Sequence, residues 1–458
     1  MTQLISTNPA KNYQPVGSVA ISTEKEIKSK VDQARKALKQ WQEIGVAGRV
    51  KFLTKAMNEF KKNQEEMAKT ISQEMGMAIT ASRDEIGWDF DYWQWYLENA
   101  EKALGDEVIF EDKNTIHKQI YEPIGVVGAI APWNLPFDLF IWAVIPNLLA
   151  GNTVIFKTSE ECPLSGQLFE KIMSQVGLPE GVFSEVYGDG KVGEILVNQA
   201  IDLIWFTGSS KVGKRLAEIG GKKFIKVVLE LGGSNPGIVF EDVVVDKIVD
   251  KLYGKRFGFC GQTCDGLKRL LVYESKFEEV VSKLKARVEK TVIGEPLDEK
   301  INMGPLVAKR QLDLLKDQVN DAVKKGAKII TGGKEPTGLK GAYYLPTILT
   351  NVTNKMRAWK EEVFGPVLAV RKFKTEAEAI KLANDSVYGL GALVFTKDKA
   401  RANRVARALK TGTVEINSAS HWLACNPFGG YKQSGMGREH GIHGLRELCQ
   451  IKVISEEK

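Results

Sequence analysis

Three observations predict an α/β fold built on parallel sheets. From Asn152 onward, short apolar strands alternate with amphipathic helices, a pattern that implies right-handed crossovers between parallel strands. A second alternating half runs beyond Leu231 to about residue 446. At 458 residues the chain is too long for one ordinary core, so two or three domains are expected.

The elements follow in order. Residues 24–39 and 46–75 carry helical periodicity with exposed Lys and Glu, and Ser22-Thr23 offers an N-cap ahead of the first. Residues 84–103 continue helically and hold Trp88, Phe90, Tyr92, Trp93, Trp95 and Tyr96, which read as a helix packed on a sheet. Residues 107–123 have hairpin character, and IGVVGAIAP after them is a buried strand. TVIFK is a strand, a helix spans about 163–176, VFSEVY is a strand, and a helix follows near 191–199. DLIWF, a helix from about 210 and the strand KFIKVVLEL complete the first half. The second half offers strands RLLVYES, AKIITGG, VLAVRKF and GALVFTK, with helices at about 275–290, 308–325 and 375–384. The tail CQIKVIS alternates like a strand.

Composition narrows the function classes. Hydrophobic residues make up 43% and charged residues 26%, the balance of a soluble globular protein. Lys plus Arg number 64 against 57 Asp plus Glu, a net charge of +7, but the basic residues are scattered among acids. A nucleic-acid footprint would need a basic stripe or patch. The most apolar stretch, Leu135 to Ala150, is interrupted by Pro136, Asp138 and Pro146 and is shorter than the ~20 residues that span a bilayer, so no membrane role is expected. The N-terminus lacks the pattern of a signal peptide. Five cysteines (Cys162, Cys260, Cys264, Cys425, Cys449) and four histidines show no disulfide or zinc spacing. A cytoplasmic protein without a metal site is the expectation.

The stretch Phe257 to Arg269, FGFCGQTCDGLKR, presents Cys264 after a Gly-Gln pair where the backbone can turn sharply. Backbone N–H groups around such a turn can stabilise a thiolate. By itself the stretch reads more simply as a small core thiol. GDGKVG (Gly188 to Gly193) matches G-x-G-x-x-G, follows a strand and opens a helix. The dinucleotide fingerprint also wants an acid at the end of the next strand, and DLIWF ends in Thr-Gly-Ser instead.

Read together, PWNLPF (Pro132 to Phe137), FKTSE (Phe156 to Glu160), FTGSSKVG (Phe206 to Gly213), LELGGSNP (Leu229 to Pro236), GQTC, EEVFGP (Glu361 to Pro366) and PFGGYKQSGMGRE (Pro427 to Glu439) resemble, in order and spacing, the NAD(P)-dependent aldehyde dehydrogenase superfamily of the hydrolytic, non-CoA-acylating type. The resemblance covers nearly the whole chain. It implies two Rossmann-like parallel α/β domains and a small β oligomerisation arm: an NAD-binding domain at 1–103 and 124–231, a catalytic domain at 232–446, and the arm at 104–123 and 447–458. It also implies a homodimer or homotetramer, with the tail strand pairing across a subunit interface.

The resemblance assigns roles. Cys264 is the nucleophile, Asn134 the oxyanion donor together with the Cys264 N–H, and Glu230 the base that activates water. Lys157 and Glu160 meet the adenosine ribose, with Ser159 beside them. Gly208, Ser209 and Gly213 lie where a helix N-terminus favours the pyrophosphate. Trp133 and Leu231 line the nicotinamide side, and Glu362 and Phe364 hold its ribose and ring. Glu160 would accept hydrogen bonds from ribose hydroxyls and repel a 2′-phosphate, so NAD is expected over NADP, with NADP possible through Lys157. CoA-acylating relatives generally lack the base at Glu230, and a non-catalytic relative would have lost Cys264, Asn134 or Glu230.

Three departures stand out: Thr158 where Pro is frequent, Asp265 directly after the nucleophile, and Cys260 four residues before it. Asp265 facing the thiol would raise its pKa and repel anions, whereas facing solvent it would do little. Cys260 is either an inert core thiol or a partner for oxidative pairing. For the substrate pocket the resemblance points to Trp142, Trp422 and Phe428. Trp142 stands where succinate-semialdehyde dehydrogenases often carry an Arg, and Asp138 also disfavours anions, so a broad range of uncharged aldehydes is expected. His421 and nearby lysines keep semialdehyde or lactaldehyde oxidation open as alternatives.

Overall fold

The computed structural model describes residues 2–458. Its centre is a six-stranded sheet in the order Gly435–Met436, Lys226–Glu230, Leu203–Thr207, Val126–Ile130, Thr153–Lys157, Phe183–Val186. The pairs are parallel except for Gly435–Met436, which returns from far along the chain to lie antiparallel on Leu229 and Glu230. The chain leaves Val126–Ile130 toward Thr153–Lys157 on one side and reaches Leu203–Thr207 on the other. That reversal opens a crevice at the carboxyl ends of the strands, where open α/β sheets bind ligands.

A seven-stranded sheet forms from the second half, in the order Lys328–Thr331, Thr347–Thr350, Val367–Phe373, Leu267–Tyr273, Asn235–Val239, Leu393–Phe395, Glu415–Ile416. Only the edge strand Lys328–Thr331, within AKIITGG, runs antiparallel. The third sheet is antiparallel, with Thr115–Pro123 between Glu107–Glu111 and the tail strand Cys449–Glu457. The hairpin and tail strand thus pair within one chain, not across a subunit interface as the resemblance implied, the nine-residue register from Cys449↔Pro123 to Glu457↔Thr115 closing the sheet internally.

Several elements differ from the sequence reading. The helix expected over 46–75 is two, Gly45–Lys62 and Gln64–Met75, because Asn63 leaves helical geometry and its amide donates back to the Glu59 carbonyl at 2.8 Å. The helix expected over 84–103 starts earlier, at Ile79, and runs to Leu104. An N-terminal hairpin, Gln3–Asn8 with Gln14–Ala20, and helices Val249–Phe257 and Lys399–Ala408 were not foreseen. Thr23 closes a reciprocal capping box with Glu26 on Glu24–Glu43, as the Ser22-Thr23 pair suggested.

The largest difference is Pro136–Ala150, a helix buried at every residue. Apolar on all sides, it has no amphipathic signature to read, and burial on all sides is what such a helix requires. Pro136 sits in its first turn, where a missing N–H costs nothing. It packs with Phe60, Trp93 and Phe169 in the main core through Phe137 and Phe140, whose rings lie 5.1–5.6 Å from those of Phe60 and Phe169. This fixes the loop before it, Pro132 to Leu135, at the mouth of the crevice. No helix among the described residues is long and apolar enough to cross a membrane.

Candidate active site

Cys264 lies on a turn that leads into the strand Leu267–Tyr273. Ahead of it Phe259 (φ 51°), Cys260 (φ 56°) and Gly261 (φ 67°) are all left-handed. A side chain at Gly261 would collide with the Gly365 carbonyl, so only glycine fits there. The two non-glycine residues store about 1–2 kcal/mol each, held down by buried neighbours: Gln262 accepts from the Val307 N–H at 3.0 Å, and Arg256 donates to the Val363 and Gly365 carbonyls. The turn leaves Cys264 half-buried. Burial, followed by the charge of Asp265, pushes its thiol well above the usual range, while Lys268 acts the other way.

Asp265 does not face solvent. It is buried, its Oδ2 lies 3.5 Å from His421 Nε2 and 3.9 Å from Lys255 Nζ, and its backbone carbonyl accepts from Asn235 at 2.7 Å. Cys260 is a free thiol packed into the core under the seven-stranded sheet, where burial raises it to about 12.

Glu230 ends its strand in a fully buried position, and neither carboxyl oxygen has a hydrogen-bond partner. Gly429 permits this, since a side chain there would come within 2.8 Å of Glu230 Oε1. Burial, then the charge of Glu439, holds the Glu230 carboxyl well above the usual range, with Arg438 opposing. Glu439 is likewise unpartnered, and burial raises it to about 8. Sequence reasoning quoted Glu439 in its motif without giving it a part. A lone acid after Gly-Arg carries no signal until the chain folds it onto Glu230.

The residues predicted for the cofactor gather along the carboxyl ends of the central strands. Asn134 and Trp133 follow Val126–Ile130, and the Trp133 ring meets Phe364 edge-on at 5.5 Å. Lys157, at the end of its strand, is buried with its ammonium donating to the Thr158 carbonyl at 3.0 Å and lying 3.8 Å from the half-buried Glu160 carboxylate. The Ser159 hydroxyl accepts from the Glu161 N–H at 3.3 Å. Ser209 caps the helix Ser210–Lys223, its hydroxyl accepting from the Val212 N–H at 3.3 Å. Gly213 lies against Leu231, whose side chain would have to move to admit a Cβ there. Glu362 Oε1 accepts from the Gly233 N–H at 2.9 Å and from Lys268 at 2.6 Å. The Gly-rich turn of GDGKVG ends beside Lys157, where a side chain at Gly193 would touch it at 3.5 Å. A carboxylate, an ammonium, a helix N-terminus and glycine-lined backbone at a strand-order reversal suit a dinucleotide.

Trp142, Trp422 and Phe428 do come together. Trp142 and Trp422 lie 5.7 Å apart, and Trp422 and Phe428 6.1 Å. Tyr92, His421 and His440 join them: His421 stacks on Phe428 at 5.7 Å, and His440 meets Trp142 edge-on at 4.6 Å. Burial lowers His440 to about 3, so its imidazole is neutral, and Tyr96 bonds its Nδ1 at 2.6 Å. On the Tyr92 side of Trp142, Glu85, Asp89 and Asp138 bring carboxylate oxygens within 4.8 Å of one another, all buried. Burial, then mutual repulsion, raises Glu85 and Asp89 well above the usual range, and burial raises Asp138 to about 6. The Trp88 indole donates to Asp138 at 3.0 Å. The aromatic run Trp88 to Tyr96 signalled this wall; Asp89 within it carries no signal until Glu85 and Asp138 are folded beside it.

Comparison with known proteins gives a consistent picture. The aldehyde dehydrogenase family model matches residues 2–454. An aldehyde dehydrogenase from Davidiella tassiana is 38% identical over 438 residues, covering 95% of this chain and 88% of the relative. The succinate-semialdehyde dehydrogenase [NADP(+)] GabD of Escherichia coli (strain K12) is 34% identical over 450 residues, covering 98% and 93%. Among solved structures, a betaine aldehyde dehydrogenase from Staphylococcus aureus in complex with NAD+ superposes with a TM-score of 0.95 at 34% identity, covering 99% and 91%.

Proposed function

The chain belongs to the aldehyde dehydrogenase family and oxidises aldehydes with NAD(P), and we propose that Cys264, Asn134 and Glu230 carry the reaction, with NAD favoured. The observation that supports this most is Glu230: a buried carboxyl with both oxygens unpartnered, close enough to influence the Cys264 thiol. A buried carboxyl left without partners is costly, and a basic group kept for proton transfer explains it.

In this reading Cys264 gives its proton up to solvent, and the resulting thiolate sulfur bonds to the aldehyde carbon. The oxyanion accepts from the Asn134 carboxamide and the Cys264 N–H, an arrangement whose single donors are typically worth ~10²–10³ in rate. Bound NAD, held by Lys157, Glu160, Glu362 and the N–H groups ahead of Ser210–Lys223, supplies the hydride acceptor. Glu230 then takes a proton from water as it attacks the thioester, the C–S bond breaks, and Cys264 leaves as thiolate. Following reduced-cofactor formation with NAD and with NADP across an aldehyde panel tests this, and the half-buried Glu160 carboxylate favours NAD.

The pocket supports aldehydes with neutral or cationic tails over anionic ones. Relatives named for betaine aldehyde and for succinate semialdehyde stand at 36% and 34% identity, a gap too small to decide the tail. The side chains do. The nearby cations Lys251 and Lys255 are committed to Glu415 at 2.9 and 2.8 Å, while Asp89, Asp138 and Asp265 surround the aromatic wall. Aromatic faces favour a cation, and with both lysines engaged an anion is left without a partner. We expect kcat/KM for an aminoaldehyde or for hexanal to exceed that for succinate semialdehyde by at least about tenfold, or about 1.4 kcal/mol. A preference for the dicarboxylic semialdehyde would overturn the tail assignment alone.

The three-stranded sheet exposes Val108, Ile109, Phe110, Ile451 and Val453, an apolar surface with an open strand at each edge. It supports assembly with a second copy of this chain. Replacing Ile451 and Val453 with glutamate should shift sedimentation to the monomer while leaving the circular dichroism unchanged; an unchanged sedimentation coefficient would move the interface elsewhere.

A further inference from the structure

We propose that Lys268 is a positioning residue for hydride transfer, locking Glu362 to the turn that carries Cys264. The inference rests on the reading above of Cys264 as nucleophile and Glu362 as ribose holder. Lys268 is four residues beyond Cys264 and almost fully buried, at 1% side-chain exposure. Its ammonium has three N–H donors, and three acceptors take them: Glu362 Oε1 at 2.6 Å, the Gly233 carbonyl at 2.8 Å and the Cys264 carbonyl at 2.9 Å. It also lies 5.2 Å over the Phe364 ring. One side chain thus joins the nucleophile turn, the Gly-Gly segment after Glu230 and the loop carrying Glu362 and Phe364.

The geometry divides the Glu362 carboxylate. Oε1 is committed to Lys268 and to the Gly233 N–H at 2.9 Å, while Oε2 lies against Gly232, where a side chain would collide with it. Oε2 is the oxygen left to receive a ribose hydroxyl. Burying an ammonium is expensive unless it is fully paired, and a backbone turn could be held by neutral groups. Charge at this point does two further things: it orients a carboxylate and it favours the neighbouring thiolate, and Lys268 does draw the Cys264 thiol downward against burial. Misplacement of about 1 Å at a reacting centre can cost ~10²-fold in rate.

The test uses the full-length protein and the variants Lys268→Met, Lys268→Arg and Glu362→Gln. Lys268→Met should slow single-turnover formation of reduced cofactor by about 10²-fold and change NAD binding, measured by calorimetry, by less than about threefold. A primary isotope effect with aldehyde deuterated at C1 should appear as hydride transfer becomes limiting. Without cofactor, iodoacetamide should alkylate Cys264 of Lys268→Met about tenfold more slowly at neutral pH, equivalent to one pKa unit, and Lys268→Arg should recover most of that rate. At saturating aldehyde, where thiol addition no longer limits, combining Lys268→Met with Glu362→Gln should slow hydride transfer no more than Glu362→Gln alone. Wild-type hydride transfer in Lys268→Met, or costs that multiply in the double variant, would overturn the proposal. If Lys268→Met does not fold, the double variant, which removes both charges together, supplies the comparison with Glu362→Gln. Should Cys264→Ser and Glu362→Gln both turn over normally, the underlying assignment fails instead, whatever Lys268 does.

Discussion

Replacing Cys264 with serine is expected to lower aldehyde oxidation by about 10⁴-fold or more, since losing an essential nucleophile leaves only the binding and oxyanion contributions. A hydroxyl at this half-buried point is far less acidic than a thiol, and the local field already works against ionisation: burial, then Asp265, raise the group, with Lys268 the main counterweight. The folded state and NAD affinity should be unchanged, because the turn is held by Gln262, Arg256 and Lys268 rather than by the sulfur. Cysteine at 260 provides the control. It is packed in the core and raised by burial to about 12, so Cys260→Ser should touch stability more than turnover. Because the Cys264 thiol lies above its ordinary range, its thiolate fraction rises with pH, and alkylation should accelerate steadily from neutral to alkaline solution. Substantial turnover by Cys264→Ser would remove the nucleophile assignment altogether.

What could be read beforehand depended on whether a feature announces itself locally. Parallel strands such as TVIFK and DLIWF are short apolar runs between turn residues, and both stand where their alternation with helices suggested. Pro136–Ala150 defeated the same reading because periodicity needs a polar face, and this helix has none. Trp133, Asn134, Lys157, Glu230, Cys264 and Glu362 sit in short motifs that point to a site only through their joint order and spacing, which resemble those of the aldehyde dehydrogenases; taken singly each reads as a core or turn residue. Glu439, His440, Tyr92 and Asp89 matter through partners hundreds of residues away in some cases, as with Tyr96 and His440 at 2.6 Å. Lys268 shows the limit most plainly. In the sequence it is one lysine in a basic chain, and only the fold shows its three buried acceptors.

Changing Glu230 to glutamine should separate the two halves of the reaction. If Glu230 activates the hydrolytic water, the variant still acylates and releases a burst of about one reduced cofactor per active site, after which steady turnover falls by about 10²–10⁴-fold, the usual worth of a general base. The surroundings also set the sign of the pH dependence. Burial, then the charge of Glu439, favours the protonated form of Glu230, while Arg438 pulls back. Glu439 is itself raised to about 8 by burial, and the two acids titrate as a pair. Deacylation requires the ionised form, so its rate should keep climbing through neutral pH instead of levelling near pH 5 as an ordinary carboxylate would. Replacing Glu439 with glutamine removes the like charge, lowers the Glu230 pKa and should move that rising limb to lower pH. In the Glu230→Gln variant the limb itself should vanish from the slow phase. Multiple turnovers at the wild-type rate in Glu230→Gln, or a rising limb that ignores Glu439, would show that the proton leaves water by another route.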